Sequence, residues 1–226
     1  MTEAQKRQTV ETHQTEIFTV PFPLGKVNES ITITSKTSSK PSKEQIINQI
    51  IQASSKGDIA KAAEYCQIFT DQGFSDPIVF SNYGVILKNL GKSKEAEIIT
   101  RKAIDIKPDF ADAHFNLGNI LYSIGKLEEA EISTRKATKL KPDFVLAHNN
   151  LGGILKELGK LKEAELSIRK VIQLKPDFAE SYKNLGSILF SLGKLKEAEI
   201  SARKAIELIP NYTEAHLNLA EILFEL

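Results

Sequence analysis

The chain has 226 residues and a formal net charge of +1, from 30 Lys+Arg against 29 Asp+Glu, so it has no electrostatic drive toward nucleic acid or an anionic membrane. No apolar run approaches the roughly 20 residues of a membrane span, and the N-terminus MTEAQKRQTVETHQTE lacks the apolar core of a signal peptide. Cys66 is the single cysteine, which excludes an intrachain disulfide and a cysteine-based metal site; the resulting expectation is a soluble, cytoplasmic protein.

Residues 1–42 are rich in Ser and Thr and show almost no helical periodicity. They are expected to be largely disordered, with one extended stretch docking on the helical region that begins at residue 43. IFTVPFPL (17–24) carries two prolines, and ITIT (31–34) alternates like a short strand. Asn28-Glu29-Ser30 and Asn211-Tyr212-Thr213 match glycosylation sequons; without a secretion signal both read as chance. Ser42-Lys43-Glu44-Gln45 then reads as a capping box opening a helix. Asp76-Pro77 reads as an N-cap with proline in the first turn.

From residue 43 the chain repeats itself. Gly57, Gly91, Gly125, Gly159 and Gly193 are 34 residues apart, and so are Pro108, Pro142, Pro176 and Pro210. Between them one phrase recurs, as in NLGNILYSIGKLEEAEISTRKATKLKPDF followed by NLGGILKELGKLKEAELSIRKVIQLKPDF. Four copies run 77–110, 111–144, 145–178 and 179–212. A degenerate copy occupies 43–76, with Gly57 and Ala62 in place but Phe74 where the others have Pro. Residues 213–226 match the first helix of a further copy. Each copy predicts two helices. The first is apolar at i, i+3, i+4 and i+7, as in Tyr182, Leu185, Gly186 and Leu189. Gly193 caps it in the left-handed region, Pro210 stops the second helix, and small Gly186 and Ala198 let the pair approach closely. Glu97→Arg101, Glu131→Arg135, Glu165→Arg169 and Glu199→Arg203 are i→i+4 pairs on an outer, solvated face.

In 179–212 the residues Tyr182, Leu185-Gly186, Leu189, Gly193, Ala198 and Pro210 resemble the tetratricopeptide repeat (TPR) pattern, and the likeness covers roughly four-fifths of the chain. The resemblance implies an all-α, right-handed α-solenoid of helix-turn-helix repeats over 43–226, with a concave groove lined by the first helices. The phrasing, from SNYGVILKNLGK to EAEISTRKAI, is also similar to bacterial TPR arrays of O-linked N-acetylglucosamine transferase-like and other TPR–transferase fusion proteins.

Chemistry is sparse. His114, His148 and His216 share one offset, filled elsewhere by Phe80 and Tyr182. First helices 8–10 Å or more apart do not bring such a ladder onto one ion at about 2.1 Å, so these imidazoles read as flat, half-buried fillers. Cys66 reads as a small buried hydrophobe. No phosphate loop, HExxH or GxSxG occurs. No catalytic residue, cofactor or metal is assigned, and the chain is expected not to be an enzyme.

The better ladder is Asn82, Asn116, Asn150, Asn184 and Asn218, again 34 apart. With Ser81, Phe115, Asn149, Lys183 and Leu217 it falls on the face away from the second helix. An asparagine row offers donors and acceptors to successive backbone amides of an extended peptide. The resemblance adds that the asparagine ladder of O-linked N-acetylglucosamine transferases holds polypeptide substrate. A consensus asparagine bonded between helices is the competing reading. Lys88, Tyr122, Lys156, Phe190 and Phe224 share a further offset near Asn119, Ser187 and Glu221, where specificity is expected to reside. Asp112, Leu146 and Glu180 stand where a chaperone-type carboxylate clamp needs a base, which argues against that subtype.

The expected function is a non-catalytic scaffold that binds an extended peptide or partner protein in its concave groove. The alternative is the truncated substrate-recognition region of a TPR-linked glycosyltransferase or sulfotransferase. Helix 213–226, ending LNLAEILFEL, is an internal-type helix without a polar cap. It is expected to be frayed or sticky, with self-association through it as a third reading.

Overall fold

The computed structural model describes residues 40–226. The expectations for 1–42 and for the Asn28 sequon therefore lie outside the described residues, except at 40–42. Eleven helices run in order: α1 (Lys43–Ser55), α2 (Ile59–Asp71), α3 (Pro77–Asn89), α4 (Ser93–Ile106), α5 (Ala111–Ser123), α6 (Leu127–Leu140), α7 (Val145–Glu157), α8 (Leu161–Leu174), α9 (Ala179–Ser191), α10 (Leu195–Leu208) and α11 (Thr213–Glu225). There is no strand among the described residues.

The helix boundaries follow from local chemistry. The Ser42 hydroxyl accepts from the Gln45 N–H at 3.3 Å, and the Gln45 side chain accepts from the Ser42 N–H at 2.8 Å, which is the reciprocal capping box. The Asp76 carboxylate accepts from the Ile78 and Val79 N–H groups at 2.9 and 3.1 Å. At the other end of a first helix, Gly125 sits at φ 77°. There the Lys126 N–H reaches the Leu121 carbonyl and the Gly125 N–H the Tyr122 carbonyl, both at 3.0 Å. This pair of bonds satisfies carbonyls the helix leaves open, in a conformation glycine adopts at little cost. Second helices stop before Lys-Pro, where Lys107, Lys141 and Lys175 turn extended.

Close approach within each pair depends on a missing side chain. A Cβ on Gly118 would lie 2.2 Å from Thr134 Oγ1, and one on Gly84 only 1.9 Å from Thr100 Oγ1. Ala96, Ala130, Ala164 and Ala198 are fully buried on the facing helices. In the degenerate first repeat Ile50 takes the glycine's place and Cys66 that of the threonine, so volume is exchanged across the contact. Burial pushes the Cys66 thiol up to about 12. Cys66 should therefore resist iodoacetamide at neutral pH in the folded protein and react fully in denaturant, as read by mass spectrometry.

First helices touch their counterparts in the next repeat, α3 with α5, α5 with α7, α7 with α9 and α9 with α11. Second helices meet mainly through long side chains. The array therefore bends with its first helices inside. On the outside, the i→i+4 pairs turn out to be nodes of a network between repeats. Glu131 accepts from Arg135 at 2.9 Å in its own helix and from Lys160 at 2.7 Å in the next repeat, while Arg135 also reaches Glu163. Glu97 and Glu165 repeat the arrangement with Arg101 and Lys126, and with Arg169 and Lys194. Among the described residues, Glu199 pairs with Arg203 alone.

Candidate peptide-binding groove

The inner face is built from the first helices, each offering one residue per turn. Its asparagines are already tied together. Asn116 Nδ2 donates to Ser81 Oγ at 3.0 Å, Asn150 Nδ2 to Asn119 Oδ1 at 2.5 Å, Asn184 Nδ2 to Asn149 Oδ1 at 3.0 Å, and Asn218 Nδ2 to the Lys183 carbonyl at 3.3 Å. Asn149 in turn donates to Glu180 at 2.9 Å. Each ladder bond runs from a later repeat to the one before it. Asn82 and Asn116 are 1% and 4% exposed, so the first two rungs are sealed between helices. Asn150, Asn184 and Asn218 are only half-buried. The Oδ1 atoms of Asn150 and Asn184 take no hydrogen bond within the described chain and are not buried without a partner. They face solvent with free lone pairs.

Two adjoining hollows lie on this face. One, of about 160 Å³, is lined by Asn119, Tyr122, Asn149, Asn150, Gly153, Ile154, Glu180 and Asn184. The other, of about 290 Å³, is lined by Gly153, Lys156, Lys183, Asn184, Ser187, Ile188, Glu214 and Asn218. They share Gly153 and Asn184. Space opens above Gly153, since a Cβ there would meet nothing within 4 Å.

The hollows therefore gather Tyr122, Asn150, Lys156, Lys183, Asn184 and Asn218 from the residues singled out in the sequence. The Tyr122 hydroxyl donates to Glu157, and that bond, with burial, pushes the phenol up to about 12. Lys156 Nζ donates to Ser187 Oγ at 2.5 Å. Lys88 is half-buried, and burial lowers its ammonium pKa. Phe190 packs against the buried cluster around Leu185 and Leu189, and Phe224 is exposed. Phe115 is not on the open surface. It is 7% exposed and packs against Phe144 with ring centroids 4.8 Å apart and planes tilted by 47°, in a cluster with Ala137 and Ala147. An aromatic at that offset gains more from this interior contact than from solvent.

The histidines do something simpler than fill space. His114, His148 and His216 each place Nε2 3.0, 3.0 and 2.8 Å from the carbonyl of Pro108, Pro142 or Pro210. The ring N–H donates to that carbonyl, so each imidazole pins its helix to the preceding turn. His114 and His148 are half-buried, but His216 is exposed. Desolvation is the largest influence on His114; with Lys136 nearby it outweighs the Pro108 bond and keeps the ring's pKa below the ordinary value. No group of three or more His, Cys, Asp or Glu fit to hold a metal occurs among the described residues, and no helix among them is long and apolar enough to cross a membrane.

Family models for the tetratricopeptide repeat match residues 111–144 and 179–212, and residues 79–110 and 145–178. No curated protein matches the sequence. Solved structures with the same fold include MamA from Desulfovibrio magneticus RS-1, 20% identical with a TM-score of 0.70 over 77% of this chain and 99% of that one. YrrB, described as a TPR protein with an unusual peptide-binding site, is 21% identical with a TM-score of 0.67 over 77% of this chain and 90% of its own. TTC0263, a thermophilic TPR protein of Thermus thermophilus, is 19% identical with a TM-score of 0.62 over 81% and 100%. The repeat matches take in more than half of the sequence, on the same helix pairs that build the solenoid, and the chain belongs to the tetratricopeptide repeat family.

Proposed function

We propose that this protein is a non-catalytic interaction scaffold that binds an extended segment of a partner protein in its inner groove. One observation carries the reading: Asn150 and Asn184 are fixed by inter-repeat hydrogen bonds and each presents a free carbonyl oxygen to the trough. Because the amides are already held, little rotamer entropy remains to be lost on binding. Backbone N–H groups of an extended peptide are the matching donors, which gives affinity with little sequence preference. Tyr122 on one side and Lys156 and Lys183 on the other supply the selective contacts. The peptide-binding site named for YrrB is in keeping with this reading.

The test starts from random 12-residue peptides selected on the immobilised protein, with affinities measured by fluorescence anisotropy. Asn150→Ala and Asn184→Ala are each expected to weaken binding by about three- to tenfold, corresponding to one lost hydrogen bond of about 0.5–1.5 kcal/mol. Asn82→Ala serves as a buried comparison and is read for stability. Selected peptides that bind the Asn150→Ala/Asn184→Ala protein as tightly as the parent would place the site elsewhere.

A further inference from the structure

The outer face carries a row of side chains that the groove does not use. Ile98, Ile132, Leu166 and Ile200 are 60%, 70%, 69% and 69% exposed. They sit at one offset, 34 residues apart, on α4, α6, α8 and α10. A single exposed aliphatic is ordinary. Four in register on successive second helices make a ridge of apolar side chains spaced along the outer face, the kind of surface that marks an interaction site. Folding does not require them, since the buried seam of each second helix is formed by other residues, such as Ala130, Thr134 and Ala137 in α6.

The charges beside the ridge define what it can accept. One turn after each ridge residue stands a lysine: Lys102, Lys136, Lys170 and Lys204. One turn before stand Lys94, Glu128, Lys162 and Lys196. The arginines and glutamates three residues away largely cancel each other across repeats, through Arg101–Glu129, Arg135–Glu163 and Arg169–Glu197. Lys204 is held by Glu207 and Lys170 by Gln173, each in its own helix. The remaining balance along the ridge is basic.

The geometry points to this ridge as a second docking surface, taken by an acidic amphipathic helix of a partner protein lying across α4, α6, α8 and α10. Successive second helices are bridged by long ion-paired side chains, not packed directly, so they lie farther apart than the about 8–10 Å of packed helices. Seven or eight residues of a crossing helix advance about 10.5–12 Å. A partner with an apolar residue at that interval meets each of the four ridge residues in turn, and glutamates beside them meet the lysine rows. This surface is separate from the groove and leaves it free.

The probe is a synthetic helix of about 28 residues, long enough to cross four repeats. It carries leucine at the first and fourth position of each heptad and glutamate beside them; a second peptide carries lysine in place of every glutamate. Anisotropy titration of the full chain should show the acidic helix binding at least about tenfold more tightly than the basic one. Ile132→Glu/Leu166→Glu should weaken it at least about tenfold, while Asn150→Ala leaves it unchanged. Both ridge positions are exposed, so folding survives the change, which circular dichroism checks. Absence of binding, or binding that ignores the ridge substitutions, overturns the proposal. So does a dimer in sedimentation that Ile132→Glu/Leu166→Glu dissolves, which would make the occupant a second copy. Adsorption to phosphatidylserine vesicles that the same substitutions abolish overturns it in favour of a lipid surface.

Discussion

Gly118→Ala is expected to cost up to about 2 kcal/mol of stability, although alanine is the better helix former. The new methyl group would lie 2.2 Å from Thr134 Oγ1, inside contact distance. Thr134 is fully buried and its hydroxyl donates to the Ala130 carbonyl at 2.8 Å. To make room it must abandon that bond, worth about 1 kcal/mol, or α5 and α6 must part, an overpacking cost of up to about 3 kcal/mol. The helix-propensity gain of about 1 kcal/mol offsets only part of this. The same exchange one pair of repeats later has a different outcome. A Cβ on Gly186 meets the Ala198 carbonyl at 3.3 Å and the Ala202 N at 3.5 Å, with no threonine in the way. Gly186→Ala should therefore lie within about 1 kcal/mol of the parent. Gly118→Ala/Thr134→Ala, which reproduces the alanine-to-alanine contact that Gly186→Ala makes with Ala202, should recover most of the loss in a double-mutant cycle. Urea denaturation provides the measurement. A Gly118→Ala protein as stable as the parent would mean that the helices do not pack as closely as described.

Glu131→Gln should destabilise by about 1–2 kcal/mol, more than any ordinary surface ion pair. The carboxylate is buried yet accepts from Arg135 and Lys160 together, so removal leaves Lys160 without its carboxylate and Arg135 with Glu163 alone. Both cations are more than 40% exposed, and solvent screening holds the figure well below that of a dry pair. Glu199→Gln is the matched control: its carboxylate is more exposed and has Arg203 as its ion-pair partner, so about 0.5 kcal/mol or less is expected. The pH dependence has a definite sign. For Glu97 and Glu131 desolvation alone would raise the pKa, but hydrogen bonds from the lysine and arginine overcome it; for Glu165 the Lys194 bond is the largest influence. All three are thus held below the ordinary carboxylate value. The unfolded chain binds protons more readily, so this stability is fully present above about pH 4.5 and is lost as the pH falls through the lower folded values. Glu131→Gln should consequently lose less stability than the parent between pH 5 and pH 3, as followed by thermal melts. Equal losses in the two proteins would remove Glu131 from the account.

The helical architecture was legible because glycine and proline at 34-residue spacing mark where helices stop, and those stops are backbone geometry that neighbours do not alter. The groove was legible only in part. Period arithmetic gives every residue at one offset the same direction, but it says nothing about the bulk beside it. Ser81, Phe115, Asn149, Lys183 and Leu217 share an offset, yet Ser81 is fully buried and Leu217 is 62% exposed. Phe115 turns inward because Phe144 is there to receive it. The pairing of Lys126 with Glu97, 29 residues back, repeats at Lys160 and Lys194 and so was present in the sequence. It escapes a search confined to i→i+4 neighbours within a helix. The same restriction reduces Ile98, Ile132, Leu166 and Ile200 to isolated apolar residues on polar helices.

The two seams that join one repeat to the next rest on different physics. The inner seam is made chiefly of neutral amide bonds through Asn116, Asn150, Asn184 and Asn218, which dissolved ions barely touch. The outer seam is made of charges, and mobile ions weaken it within a Debye length of about 8 Å at physiological ionic strength. Added salt is therefore expected to loosen the outer seam more than the inner one.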